Sequence, residues 1–342
     1  MDLGFFSYQR KPRLLRTSAM LAPLIPVFAQ FIGFFLLGYA LARVGFLNRS
    51  EIASLNKVVA YIAMPALLFS GMAGLKPLEL PALRLFLGMS LAALLTIALV
   101  WLALAALRQT GTRERRFYAF AGGWSNSGYL GLPLVLTLLA NVAAEQKLLV
   151  FAFWGLAVDL IVVGPLVYMT MRLQDVRGRQ RVGMLLRSIG ENPFSLSFLA
   201  GLAGAYSAPF LPEAFRLPLA DLGGAVAPLA LLVMGAGLAL YRVKAELGAT
   251  LWVVVAGKLI LHPVMAFLLV SLISRGDPLA PLVALLIAAT PVASSAYISA
   301  ELLRFRQGET ARFIAVSTPL SALTLCLAGA IALALASMTA LR

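Results

Sequence analysis

Apolar stretches of about twenty residues recur along this chain with little room between them. A stretch of that length spans the hydrocarbon of a bilayer, roughly 30 Å thick, as one helix. Ten can be marked, at about 21–42, 52–75, 84–107, 117–140, 148–171, 194–211, 219–241, 249–274, 280–303 and 312–338. With 61% hydrophobic and 12% charged residues, the 342-residue chain belongs with all-α polytopic membrane proteins. No room is left for a soluble domain.

The first stretch needs separating from a secretory signal. Arg10, Lys11, Arg13 and Arg16 precede it and Ala40-Leu41-Ala42 closes it, as in a signal peptide. The run from Met20 is longer than the roughly 7 to 15 residues of a signal core, and many spans follow. We read it as the first transmembrane helix, with residues 1–19 a disordered basic leader and Met20 an alternative start.

The net charge of +14 describes topology rather than a nucleic-acid partner, because Lys and Arg fall in the loops. Odd-numbered loops hold Arg43 and Arg49, then Arg108, Arg113, Arg115 and Arg116, and the linker 172–192 alone holds five arginines. Even-numbered loops hold only Lys76, Arg84, Lys147, Arg216 and Arg275. The positive-inside rule makes odd loops cytoplasmic and both termini external; the leader runs against this mildly. Cys326, the single cysteine, sits in an apolar run and forms no intrachain disulfide.

The linker lies midway, dividing the spans five plus five: 20–171 before it and 193–342 after it. Weak internal matches support that division. Pro65 precedes ALLFSGMAGL and Pro228 precedes LALLVMGAGL; Gly164-Pro165-Leu166 matches Thr318-Pro319-Leu320; and Pro26 and Pro193 open the first and sixth spans. An odd number of spans per half forces the second half to insert upside down. Inverted repeats of this kind build many secondary transporters.

The fourth span contains Asn126-Ser127-Gly128-Tyr129-Leu130-Gly131-Leu132-Pro133, and the ninth Thr290-Pro291-Val292-Ala293-Ser294-Ser295-Ala296-Tyr297. Proline lacks an N–H and its ring clashes with the carbonyl four residues back, while glycine lowers the cost of non-helical backbone. Both spans are expected to break there. Paired breaks at corresponding places point to a transporter's binding site, where freed amides and half-helix N-termini attract an anion. The bland alternative is a pair of ordinary proline kinks.

Two charges lie well inside spans, Asp159 in the fifth and Lys258 in the eighth, each costly enough to require a partner or a wet cavity. They could form a fixed ion pair, or Lys258 could face the substrate or exchange between Asp159 and a proton. His262 shares a helical face with Lys258 and is either a proton shuttle or a packing residue. Asn56, Lys57 and Asp221 fall near span ends, where an interfacial position accounts for them. No catalytic constellation, metal-ligand spacing or phosphate loop is present, so neither an enzyme nor a cofactor is expected.

Several of these stretches resemble the auxin efflux carrier family, which includes bacterial carboxylate permeases and plant PIN carriers. The likeness rests on Leu37-Gly38-Tyr39, the run Tyr61 to Leu67, Asn126 to Pro133, Ala227-Pro228-Leu229, Met234 to Leu238 and Lys258 to Pro263. It implies ten helices in two inverted repeats, with the fourth and ninth broken and crossing at mid-membrane. Helices 1, 2, 6 and 7 would form a scaffold and 3–5 with 8–10 a moving transport domain. By the same resemblance Asn126 and Pro133 lie at the crossing opposite Pro291, with Thr290, Ser294 and Ser295 where the family can carry an amide.

The expected function is alternating-access transport of a small organic anion, a mono- or dicarboxylate such as malonate or malate, across a bacterial inner membrane. Asn126, Ser127, Gly128, Gly131, Pro133, Thr290, Pro291, Ser294 and Ser295 would bind it, and Asp159, Lys258 and His262 would couple or gate charge. The coupling ion is open between a proton and sodium, and the membrane potential alone is a third option. Membrane lipid is the surrounding partner, and the scaffold leaves room for a homodimer. A cation/proton antiporter would concentrate carboxylates at the crossing. A membrane sensor would bind without flux.

Overall fold

The computed structural model describes residues 24–73, 75, 79–139, 145–172, 183, 187, 189–190, 192–206, 212–240 and 248–339. The leader 1–19 and most of the linker 172–192 lie outside them. Among the described residues the chain is helical, with one isolated antiparallel bridge between Ser125 and Val292.

The helices are α1 (Leu24–Arg43), α2 (Arg49–Ala73), α3 (Leu80–Leu107), α4 (Thr112–Gly123), α5 (Leu132–Leu138), α6 (Gln146–Met171), α7 (Pro193–Gly204), α8 (Ala214–Leu240), α9 (Ala249–Ile273), α10 (Leu279–Ala288), α11 (Ser294–Leu302) and α12 (Gln307–Thr339). Six are long and apolar enough to cross a membrane: α2, α3, α6, α8, α9 and α12. Four shorter apolar helices, Ile32–Arg43, Ser127–Leu136, Pro193–Gly204 and Leu279–Ala288, fall in the first, fourth, sixth and ninth expected spans. The sixth is shorter than expected, ending at Gly204. In α3 one face is buried through Leu85, Met89, Ala92 and Leu104. Its other face exposes Leu87, Leu91, Leu95, Leu99 and Leu102, a surface suited to lipid and costly in water.

Prolines act differently from the expectation. Four π turns interrupt the helices, at Val59–Ala63, Ser127–Gly131, Val158–Val163 and Gly257–Leu261. Each closes with an N–H donated five residues back, from Met64 to Val59, Leu132 to Ser127, Gly164 to Asp159 and His262 to Gly257. The next residue is in every case a proline: Pro65, Pro133, Pro165 and Pro263. A proline ring collides with the carbonyl four residues before it, and one wide turn moves that carbonyl aside. These prolines therefore widen a helix without ending it. Pro133 is the second residue of α5, a first-turn position where its missing N–H costs nothing.

The helices pack in two groups. α1 lies along Val226–Leu240 of α8, and α7 along Met64–Ala73 of α2, which also meets the first half of α8. In the second group α3 packs on α4, α6 and α9; α9 also meets α10; α5 meets α6; and α10 and α11 meet α12. Close approach in the first group depends on glycine. A Cβ on Gly38 would stand 1.9 Å from the Leu232 carbonyl oxygen, and one on Gly235 1.8 Å from that of Phe35. Lipid is as apolar as the helices, so contacts of this kind carry association where the hydrophobic effect cannot.

Candidate functional site

The α-helix of the fourth span ends at Gly123, and Trp124 is extended at φ −106 and ψ 112. Asn126 (φ −81, ψ 57) precedes the π turn that leads into α5. The break is therefore at Trp124–Asn126, at the upstream edge of the run Asn126–Pro133 where it was expected. In the ninth span, 289–293 separates α10 from α11. The two links pair through their main chains: Asn126 N–H donates to Pro291 C=O at 3.1 Å, and Ala293 N–H to Trp124 C=O at 3.1 Å. Backbone groups released by one break are thus satisfied by the other, as buried amides require.

Side chains from behind the breaks complete them. Ser127 Oγ donates to Asp159 Oδ2 on α6 in a short hydrogen bond. Ser125 Oγ lies 3.4 Å from His262 Nδ1 on α9. Lys258 Nζ donates to the carbonyl of Ala288, the last residue of α10, at 2.5 Å. That puts the lysine amine at the negative end of a half-helix. Ser317 Oγ on α12 accepts from Val292 N–H at 3.1 Å, and Thr324 Oγ1 donates to Ala289 C=O at 3.1 Å. Asp159, Lys258 and His262 are all buried. No ion pair within 4.0 Å joins Asp159 to Lys258, and each has its own partner at a broken end, so of the alternatives open for these two residues the direct pair is not the one seen.

Two cavities flank the paired links. A smaller one, of about 40 Å³, is lined by Ser125, Asn126, Ser127, Gly128, Asp159 and Ser295 among others. A larger one, of about 100 Å³, opens between α1, α2 and α8 on one side and the π turn, α11 and α12 on the other. Ser294 lines it with a buried hydroxyl that has no hydrogen-bond partner. The buried Asn126 side chain lines the smaller cavity, and among the described residues its amide makes a weak contact at 3.5 Å to Sδ of Met234, which lines the larger one. These are groups built to meet something.

Several expected site residues stand elsewhere. Thr290 is buried, lines neither cavity, and returns its hydroxyl to Ile287 C=O at 2.7 Å, closing α10. Pro291 contributes its carbonyl to the paired links, and Gly131 packs on Ile287, where a Cβ would sit 3.4 Å from the isoleucine. Gly128 does line the smaller cavity, and a Cβ there would stand 2.6 Å from Met64 Cε, the mobile end of a side chain that can turn aside. Asn56, read as interfacial, lines the larger cavity together with Tyr129, Met234 and Tyr297. Tyr129 and Tyr297 lie inside the two marked runs; only α1 and α8 folding against them reveals their role.

A family profile described as "Membrane transport protein" matches residues 20–328. A protein of Rhizobium meliloti (strain 1021), named "Putative malonate transporter", is 31% identical over 301 residues, which are 86% of this chain and 91% of the relative. A Mus musculus protein named "Lysosomal cholesterol signaling protein" is 23% identical over 275 residues, covering 76% of this chain and 31% of the relative.

Proposed function

The chain belongs to the membrane transport protein family, the auxin efflux carriers of the sequence resemblance, and on that premise we propose that it carries a small organic anion by alternating access. It is an integral membrane protein. The substrate class is a mono- or dicarboxylate, with malonate and malate the first to test; the name of the Rhizobium relative favours malonate. The anion sits where the fourth and ninth spans cross. One observation carries this reading: two broken spans from opposite halves meet backbone to backbone, leaving the Ser294 hydroxyl and Asn126 amide beside cavities.

The two packing groups supply the moving parts. α1, α2, α7 and α8 are the scaffold, and the remaining helices the transport domain that carries the broken spans past it. Inverted repeats are supported by the contacts themselves. Exchanging the halves turns the first span into the sixth and the second into the seventh, so the α1–α8 contact becomes the α7–α2 contact, and both are among the most extensive. Asp159, Lys258 and His262 couple the motion to charge through the broken ends they hold, with a proton or sodium as the coupling ion. The protein resides in the bacterial inner membrane with both termini outside, and the apolar scaffold surface leaves room for a homodimer.

The test is uptake of radiolabelled malonate and malate into proteoliposomes under imposed proton and sodium gradients. Saturable uptake is expected, with loss of at least tenfold in Asn126→Ala while the protein stays monodisperse. Wild-type protein that accumulates neither anion under any gradient, or an Asn126→Ala variant with undiminished flux, ends this reading.

A further inference from the structure

We infer that the site accepts its substrate as a monoanion, one ionised carboxylate on an amphipathic body, so that a dicarboxylate such as malonate enters singly protonated. This rests on the carboxylate-transport reading above and specifies the charge state that the site takes.

The charge inventory of the two cavities leads there. Among the described residues lining either one, there is no lysine, arginine or histidine. The larger cavity offers neutral polar groups only, on Asn56, Tyr129, Ser294, Tyr297 and Thr318, and its remaining described walls are alkyl, aromatic, glycine or the Met234 thioether. Thr318 already gives its hydroxyl to Ile314 C=O at 2.7 Å. The smaller cavity contains one ionisable group besides Tyr129, the carboxyl of Asp159, which supplies no positive charge.

The nearby cations are directed elsewhere. Lys258 on α9 is fully buried, lines neither cavity, and has its amine on the Ala288 carbonyl. His262, also on α9, faces Ser125 and lines neither. Lys57 follows Asn56, and Arg312 follows Ala311, in the chain, but neighbours along a helix point about 100° apart and neither lines the cavity.

A single carboxylate is within the means of such a site. Its oxygens accept from the unpartnered Ser294 hydroxyl, the Asn126 amide and the Tyr129 phenol, and its charge is spread over several dipoles. A second carboxylate would be left against alkyl walls or against Asp159, and an unpaired charge in a dry site is the more costly outcome. Protonation removes the charge and turns the group into a donor.

Uptake of labelled malonate and labelled monomethyl malonate is to be compared in proteoliposomes with equal internal and external pH, from about pH 5 to 8. Above malonate's second ionisation, its half-saturating total concentration should rise about tenfold per pH unit, following the hydrogen-malonate fraction. That of the monoester, whose charge is constant, should stay within about twofold. Malonate saturation that is flat or improves as pH rises overturns the inference, since the dianion is then accepted. Parallel shifts for both compounds overturn it as well, because a protein group is then titrating. A monoester that is not taken up and does not compete while malonate is carried overturns it too, by showing that two carboxyl groups are required. If neither compound is transported at any pH, the carboxylate-transport reading fails and this inference with it.

Discussion

Gly235→Ala tests how closely the α1–α8 wall of the larger cavity depends on backbone contact. The added Cβ would stand 1.8 Å from the Phe35 carbonyl oxygen and 2.8 Å from its carbon. A comfortable carbon–oxygen approach is about 3.3 Å, so α1 and α8 must part by about 1.5 Å. Neither atom belongs to a side chain that could rotate away. Overpacking of this kind costs about 1–3 kcal/mol, against a gain of at most about 1 kcal/mol from replacing glycine by alanine in a helix. The wall shifts with the helices, because Phe35 and Met234 both line the larger cavity. Losing about 1 kcal/mol of substrate contact would raise KM roughly fivefold. Thermal unfolding of detergent-purified protein reads the first effect, and initial uptake rates in proteoliposomes read the second. Gly33→Ala and Gly224→Ala are the controls on the same two helices, since a Cβ at either meets nothing within 4 Å. If Gly235→Ala matches those controls in both measurements, α1 and α8 are not in backbone contact and the reasoning fails.

Two further outcomes follow from hydrogen bonds at the breaks. Ser127→Ala and Asp159→Asn each disrupt one buried hydrogen bond, at a cost of about 1–3 kcal/mol for the partner left behind. The double variant should lose little more stability than either single one in a double-mutant cycle, and strict additivity would show that the pair does not interact. Ser317→Ala leaves the Val292 amide without its acceptor, a cost of about 1–3 kcal/mol. Ser317→Thr should recover most of it in the same unfolding assay, whereas equal stability of the alanine variant would remove Ser317 from the break.

Some of the site was legible in the chain because its signals are local. Asn126 and Ser294 stood out as polar groups at interruptions of apolar runs, and both occupy the junction. Asn56 did not, because near the end of a span an interfacial asparagine reads identically. Its place beside Tyr129 and Tyr297 depends on α2 folding against the other packing group. Prolines were legible as disturbances but not as to kind. Each of Pro65, Pro133, Pro165 and Pro263 follows a wide turn in a continuous helix, while Trp124–Asn126, with no proline in it, is where the fourth span parts.

What the sequence determined alone is therefore the one-dimensional part: apolar run length measured against hydrocarbon thickness, the charge of the loops and the family. These quantities are set within twenty or so residues of chain and need no knowledge of neighbours. Tertiary structure decided who satisfies whom. Ser127 finds Asp159 across 32 residues, Lys258 finds Ala288 across 30, and Ser125 finds His262 across 137. Buried polar groups take whichever partner packing brings within about 3 Å. Lys258 could have faced Asp159, the substrate or a helix end, and the packing of α9 against α10 set it on the helix end.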